Sequence, residues 1–599
     1  MRFIKNNRIY ICFFICFLFL LWRSFKGFCW SDESFYISTA DRFYRGAVPL
    51  VDEWYRTQMS SILMLPFYSV YVLLSGGTDG IVLYFRLLYL ILTVIIAVVY
   101  FRVLRKDYPD TVSAVPALFV MCYAHLNNAT FSYYMLSNLL LILGLILIYD
   151  YRNTCRKSEL VFAGVVIALA VFCMPLMAVG YIAVMAAVFI VLTVNRIFDL
   201  PDNVKKAIDN IRLGDIALYT VIGVAVPAVL FLVYLFTHTD IDYLINTLPV
   251  ALVDNEHAES LGYFIRKPNR CLVEVYGTYT TYASYLLIAV SFVFQKLLKK
   301  DPFRTVVVLA DVAVFVIMAS HSIGRVGYIQ VAFFMFMIPV FFVSERKNHF
   351  LFFLTTVPAV LVALIYCFAS SDFLYVMAIG AAVATGAGVA GIYDHIAGSR
   401  DDQTKNGVPA KITGILLTGV VAFSLCITFV LRMTNVYRDA PIPKLNQKIT
   451  TGVAKGLYTT GEHLEQYTDV YDMIDEYCQN TDGYEVISGS DRGNVLFSKI
   501  LPWGYTASAL NCGYPTTWRA TAYDEDQLKR YYEVNPEAVP DIIVVLDSKY
   551  GSYDAAGDVE DDHEPNLDEM NDFWKKYITD NGFTEKKVKC AKVYCKIKQ

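Results

Sequence analysis

Asp32 and Glu33 stand side by side just beyond the first apolar segment of a chain that otherwise reads mostly as membrane helix. Carboxylates there can act as general acid or base on substrates carried in lipid or in water. The pair opens an amphipathic stretch, Ser31 to Gly46, running back along the membrane surface. Ser31 is the expected N-cap, the two acids fill the first turn, and Gly46 falls just past the end. Phe35, Thr39 and Phe43 recur at i, i+4 and i+8, and Asp32 shares a face with Phe35 and Tyr36. The bland alternative is that acids in a first turn simply favour the helix macrodipole.

A second acidic pair, Asp52-Glu53, precedes Trp54-Tyr55-Arg56. Trp and Tyr at such a place are ordinary interfacial anchors. Arg56 is suited to an anionic headgroup, because a guanidinium binds phosphate through two parallel hydrogen bonds. His321 and Arg325 put two cations in one short turn between apolar segments, and charges at membrane depth are costly and usually functional. His125, with Asn127 and Asn128, occupies another tight turn where it can meet sugar hydroxyls; Arg86 lies inside an apolar segment, as phosphate ligand or structural ion pair. Arg266, Lys267 and Arg270 read as headgroup anchors, and Asp240 and Asp242 as helix caps. Asp32, Glu33, Asp52 and Glu53 would hold a hard divalent cation only if they converged, and no cofactor or metal is expected to be required.

The elements that must position these groups are mostly apolar helices. The 599 residues are 56% hydrophobic, with a mean hydropathy of +0.45, which excludes a soluble globular protein. Apolar runs near 9–28, 80–103, 111–126, 131–150, 159–174, 176–194, 215–236, 271–296, 303–320, 325–343, 350–369, 373–396 and 412–432 suggest about 13 transmembrane helices within 1–432. Lys and Arg concentrate in alternate connections, on the side of the N-terminus. The positive-inside bias then predicts a cytoplasmic N-terminus and an extracytoplasmic C-terminus. That parity holds only if 57–76, broken by Pro66, does not span; it is expected to be a juxtamembrane or re-entrant helix in a first outer loop of about 29–79.

Beyond Arg432 the texture turns soluble, so 433–599 is expected to be an extracytoplasmic α/β domain behind a Pro-punctuated linker, 437–444. Glu485–Gly489 and Asp541–Leu546 read as strands, Gln466–Gln479 and Asp568–Asn581 as helices. Its aromatic residues Trp503, Tyr505, Trp518 and Tyr523 suit either a core or sugar stacking. Four of the 13 cysteines lie there (Cys478, Cys512, Cys590, Cys595), enough for one or two disulfides in an oxidising compartment. The net charge of -4 argues against nucleic acid as a partner.

The order of parts is similar to that of the GT-C superfamily of lipid-phosphosugar-dependent glycosyltransferases, and it resembles in particular the protein O-mannosyltransferase and aminoarabinose-transferase branch. The likeness rests on Asp32-Glu33 followed by Tyr36 and Ala40, on Gly46 to Pro49, on Asp52-Glu53-Trp54, on Arg86, and on Gly324-Arg325 with Tyr328 before Pro339. The Lys-Pro-Pro usual after the first loop is replaced by Arg56-Thr57-Gln58. The resemblance implies a multi-pass cell-membrane enzyme using a polyprenyl-phosphate sugar donor and an acceptor protein, lipid or cell-wall glycan. It implies Asp32 as general base, Glu33 as its orienting neighbour or a sugar ligand, and inversion at the anomeric carbon. The leaving lipid phosphate would be met by Arg56, His321 or Arg325, with Arg266, Lys267 and Arg270 further candidates. Competing readings are a polytopic lipid or polysaccharide transporter or flippase, for which Asp311 and Arg86 are the candidate buried charges, and a non-catalytic envelope protein.

Overall fold

The computed structural model describes the whole chain apart from residues 1, 198–207, 254–260, 296, 300, 325–326, 345–347, 370–373, 402–407, 548, 551–571 and 599. The first 434 residues are helical. In chain order the helices are α1 (Arg2–Ser24), α2 (Asp32–Tyr44), α3 (Met59–Ser75), α4 (Ile81–Leu104), α5 (Asp110–Cys122), α6 (Tyr133–Thr154), α7 (Lys157–Cys173) and α8 (Met177–Ile197). They continue as α9 (Leu213–His238), α10 (Ile241–Ala251), α11 (Leu261–Tyr276), α12 (Thr278–Val293), α13 (Asp301–Ser320), α14 (Tyr328–Val343), α15 (His349–Ala369), α16 (Ile379–Asp401) and α17 (Val408–Thr434).

Among the described residues, nine helices are long and apolar enough to cross a membrane: α1, α4, α6, α8, α9, α13, α15, α16 and α17. Helices α5, α7, α12 and α14 fall in the other expected spans but are only 13 to 17 residues long. Outward-facing Val179, Ile182, Phe189 and Ile190 on α8 leave an apolar surface that suits lipid. Inside the bundle, small residues let helices approach closely. A Cβ on Gly164 of α7 would lie 2.1 Å from the Thr220 carbonyl oxygen of α9, and one on Gly223 would lie 2.0 Å from that of Val161.

The expected 271–296 helix is broken at Gly277, whose φ of +80° turns the chain between α11 and α12. Ser31 does not cap α2 through its side chain; its hydroxyl donates to Asp32 instead. Both flanks of α3 meet the C-terminal region. Before it, the Trp54 N–H donates to the Pro515 carbonyl. After it, the Thr78 hydroxyl donates to the Thr506 carbonyl, and the Gly80 N–H to that of Gly452. So α3 leaves and returns on one face of the molecule.

The C-terminal region is a small α/β unit. A two-stranded ribbon of β1 (Gln447–Lys448) and β2 (Tyr458–Thr459) precedes a five-stranded sheet in the order β4-β3-β5-β7-β6. Its strands are β3 (Asn494–Phe497), β4 (Asn511–Cys512), β5 (Ile542–Leu546), β6 (Thr584–Lys587) and β7 (Ala591–Cys595). β3 runs parallel to β4 and β5, while β7 is antiparallel to β5 and β6. β3 and β5 are buried at every position, which explains why β5 is wholly apolar and β3 is apolar after Asn494. Helices α18 (Gly461–Tyr477), α19 (Pro502–Ala507), α20 (Glu525–Val534) and α21 (Asp572–Asp580) accompany the sheet.

Residues 485–489 are not a strand. The Ile487 and Ser488 N–H groups donate to the Asp541 carboxylate rather than to a sheet partner. All thirteen cysteines are free, so the anticipated disulfides are not formed. The first four residues of the expected 568–581 helix lie outside the described residues.

Candidate functional site

Four polypeptide ends converge on the first turn of α2: the end of α1, the start of α4, the turn at 125–129, and the end of α17. Helix ends leave backbone carbonyls without intrahelical partners, and arginines meet them here. Arg23 donates to the carbonyls of Arg432 at 3.2 Å, Lys26 at 2.9 Å and Asn435 at 2.6 Å. Arg86 donates to those of Ser24 at 2.9 Å and Lys26 at 3.2 Å. Arg432 reaches the Asn127 carbonyl at 3.3 Å, and the Asn127 amide donates to that of Leu431 at 2.9 Å. All three guanidinium groups border one narrow cleft, with Lys26, Cys29, Glu33 and Tyr437 in its walls. Its volume, about 10 Å³, is room for about one water.

Glu33 is buried against this cluster in a two-pronged ion pair with Arg86, at 2.5 Å (Nε–Oε1) and 2.6 Å (Nη2–Oε2). Asp32 is its opposite in exposure, with 30% of its side chain accessible. Its Oδ2 accepts from the Tyr437 hydroxyl at 2.9 Å and the Ser31 hydroxyl at 3.0 Å, and lies 3.3 Å from Arg438 Nε. Among the described residues no hydrogen bond falls on Oδ1.

Tyr437 and Arg438 belong to the linker after α17 and cover the cleft as a strap. The next residue, Asp439, is a buried hub. Its carboxylate accepts from the Phe28 N–H at 2.8 Å and the Thr459 hydroxyl at 2.9 Å, and pairs with His463 Nδ1 at 2.7 Å. The Cys29 thiol, walled in beside the cleft, is pushed up to about 12 by burial and by the negative charge of Asp32.

No known protein family and no curated protein matches the chain. The site therefore rests on its own geometry.

Of the residues singled out in sequence, the cleft brings Asp32, Glu33 and Arg86 together. Asp52 and Glu53 sit elsewhere, between α2 and the C-terminal unit. Glu53 is buried and paired with Arg42 at 3.0 Å, and also accepts from the N–H groups of Tyr55 and Thr517. Burial raises its carboxyl above the usual range, against the pull of Arg42. Asp52 Oδ2 accepts from the Val48 N–H at 2.6 Å and faces a larger cavity. Hence the four acids do not converge, and among the described residues no group of three or more His, Cys, Asp or Glu can hold a metal.

Trp54 is fully buried on Tyr531 rather than anchored in a membrane interface. Tyr55 likewise packs on Phe35. Arg56 borders a separate shallow pocket with Leu252 and Tyr523. His125 is buried on Tyr134, with ring centroids 4.3 Å apart. His321 is exposed and turns Nδ1 back to the Ile317 carbonyl at 2.8 Å. Arg325 lies outside the described residues. Arg270 pairs with Glu274, and Asp240 caps α10.

Sequence reasoning missed Arg23, Arg432, Tyr437 and Arg438. Arg23 and Arg432 close two apolar runs, the one signal that marked them. Nothing local in Tyr437-Arg438 points back across 405 residues to Asp32.

Proposed function

We propose that the chain is an inverting glycosyltransferase, moving a sugar from a polyprenyl-phosphate donor to an acceptor hydroxyl where membrane meets water. One observation carries the reading: a partly exposed carboxylate, Asp32, bonded to the Tyr437 hydroxyl in the wall of an arginine-lined cleft at one end of the helix bundle. The GT-C likeness of the sequence points the same way. In this reading Oδ1 of Asp32 takes the proton as the acceptor oxygen bonds to the anomeric carbon. The bond from that carbon to the phosphate oxygen breaks on the opposite side, which inverts the centre. The leaving phosphate gathers negative charge, and fixed cations stabilise it; Arg438, Arg23 and Arg432 are the candidates for this, since Arg86 is committed to Glu33. Glu33 holds Arg86 rather than touching the sugar. The cleft is too small for a headgroup while the strap is down, so Tyr437 and Arg438 lift when the donor binds. No metal enters the scheme.

The topology that goes with this reading counts α5, α7, α12 and α14 as spans, thirteen in all, and leaves α3 on the outer face. The ends of α4 and α6 far from Asp32 carry Arg105, Lys106 and Arg152, in ion pairs with Asp110, Asp150 and Asp107. Basic residues at that end favour the cytoplasm there. The C-terminal unit is then extracytoplasmic.

The test is to incubate purified protein with a panel of polyprenyl-phosphate sugars and follow donor consumption, with and without a chelator. Wild-type protein consumes at least one donor in both conditions, and Asp32→Asn consumes none. Undiminished turnover by Asp32→Asn would overturn the role of Asp32. For topology, Asp526→Cys, at a side chain 98% exposed, reacts with an impermeant maleimide on intact cells. Labelling only after permeabilisation would reverse the orientation.

A further inference from the structure

A cavity of about 430 Å³, far larger than the cleft beside Asp32, lies apart from it. It lies between the second half of α2 and the C-terminal unit, and its size is within the range of small-molecule sites, about 300–1,000 Å³. At about 100° per residue, Ser38, Asp41, Arg42 and Arg45 project from the side of α2 roughly opposite Asp32. The two sites therefore open on different faces of one helix.

The charges in the wall indicate what the cavity takes. Arg42 is fully engaged, with Glu53 at 3.0 Å, the Asp52 carbonyl at 2.6 Å and the Tyr531 hydroxyl at 2.9 Å. Arg45 is engaged with Asp41 at 2.8 Å and with the carbonyls of Leu510 and Ser508. Neither can turn to a phosphate without leaving a buried acid unpaired. Asp41 and Asp52 keep spare lone pairs, since an ionised carboxylate accepts about four hydrogen bonds. Arg492 is exposed and makes no ion pair among the described residues.

The backbone that carries Arg492 is held in place from below. Its loop runs between Gly489 and Gly493, both in the left-handed region at φ +73° and +74°. Asp541 pins the loop with hydrogen bonds from the N–H groups of Ile487, Ser488 and Asn494 and from the Ser488 hydroxyl. The wall thus offers fixed acceptors and one multidentate donor on a pinned loop, with Asp41, Asp52, Asp491 and Glu537 outnumbering Arg42, Arg45 and Arg492. An anion is disfavoured, and an apolar ligand would strand these groups.

We infer that this cavity binds a neutral, hydroxyl-rich ligand, a carbohydrate, at a site separate from the Asp32 cleft. Each sugar hydroxyl donates to a wall carboxylate while accepting from Arg492 or a neighbouring amide. The inference does not depend on the transferase reading.

The experiment is saturation-transfer NMR on the full-length protein in detergent. The probes are maltotriose, cellobiose, mannobiose and chitobiose, with inorganic phosphate as competitor. At least one sugar shows transfer, and phosphate does not displace it. Arg492→Ala, at an exposed position that leaves the fold intact, weakens binding about tenfold or more, as loss of a hydrogen bond to a charged group does. Ser490→Trp fills the cavity and abolishes the signal. Asp32→Asn binds the sugar like wild type, which separates this site from the proposed catalytic one. No transfer from any probe, displacement by phosphate, or a signal indifferent to Arg492→Ala would overturn the inference.

Discussion

The chain uses the dipeptide Asp-Glu twice between α1 and α3, and the two copies invite comparison. In both, the glutamate is the buried partner of an arginine: Glu33 with Arg86, Glu53 with Arg42. In both, the aspartate faces a cavity or its mouth. They differ in what holds the aspartate. Asp32 is gripped by side chains, two of them from a linker 405 and 406 residues away. Asp52 is gripped by the backbone N–H of Val48, inside its own turn. A carboxylate held by long side chains is released when they move; one held by its own turn is part of the scaffold. The same two letters thus leave one carboxylate releasable and build the other into its own turn.

The largest expected effects test the shared half of this comparison. Glu33→Ala and Glu53→Ala each leave a buried guanidinium unpaired, costing about 3–5 kcal/mol. Both variants therefore lose most folded protein, read as a lower melting temperature and a collapsed monodisperse peak in size-exclusion chromatography. An unchanged melting temperature in either would show that its ion pair is not buried.

The differing half comes next. Asp32→Asn reduces sugar transfer by at least about 100-fold, the usual contribution of a general base, with no loss of thermal stability. Asp52→Asn does the reverse: it weakens a turn by about 1 kcal/mol and leaves transfer nearly intact. Equal kinetic effects from the two substitutions would erase the distinction. Tyr437→Phe and Arg438→Ala lie between these cases. They loosen the strap and alter transfer several-fold through KM, with kcat less affected.

The smallest effect uses two thiols as reporters. Burial holds Cys29 at about 12 and Cys512, in the wall of the larger cavity, at about 11. Since the thiolate is the reactive form, N-ethylmaleimide at pH 9 modifies Cys512 faster than Cys29 in the folded protein, and both at equal rates once unfolded. Faster labelling of Cys29 would mean that the cleft stands open at rest.

Much of the fold was legible because lipid-facing helices must be long and apolar. Hydropathy alone placed nearly every bundle helix, but Pro66, which reads as a break in the sequence, lies inside a continuous α3. The failures have local physical causes. Gly277 interrupts an apolar run that hydropathy treats as continuous. The run Glu485–Gly489 has strand-like residues, but after Glu485 the Ile487 and Ser488 N–H groups turn to the Asp541 carboxylate instead of a neighbouring strand. Trp54 resembles an interfacial anchor because sequence does not say that the C-terminal unit will cover it. The candidate site was half visible: Asp32, Glu33 and Arg86 stand out by type and place, whereas Tyr437 and Arg438 matter through contacts hundreds of residues apart.

Arg438 adopts φ +52°, a backbone shape a side chain seldom takes, and it sits directly before the hub at Asp439. The hub is bolted to the segment after α1, to β2 and to α18. No slack remains between the C-terminal unit and the two side chains resting on Asp32. Any tilt of that unit therefore carries Tyr437 and Arg438 with it and changes how far the Asp32 carboxylate is covered.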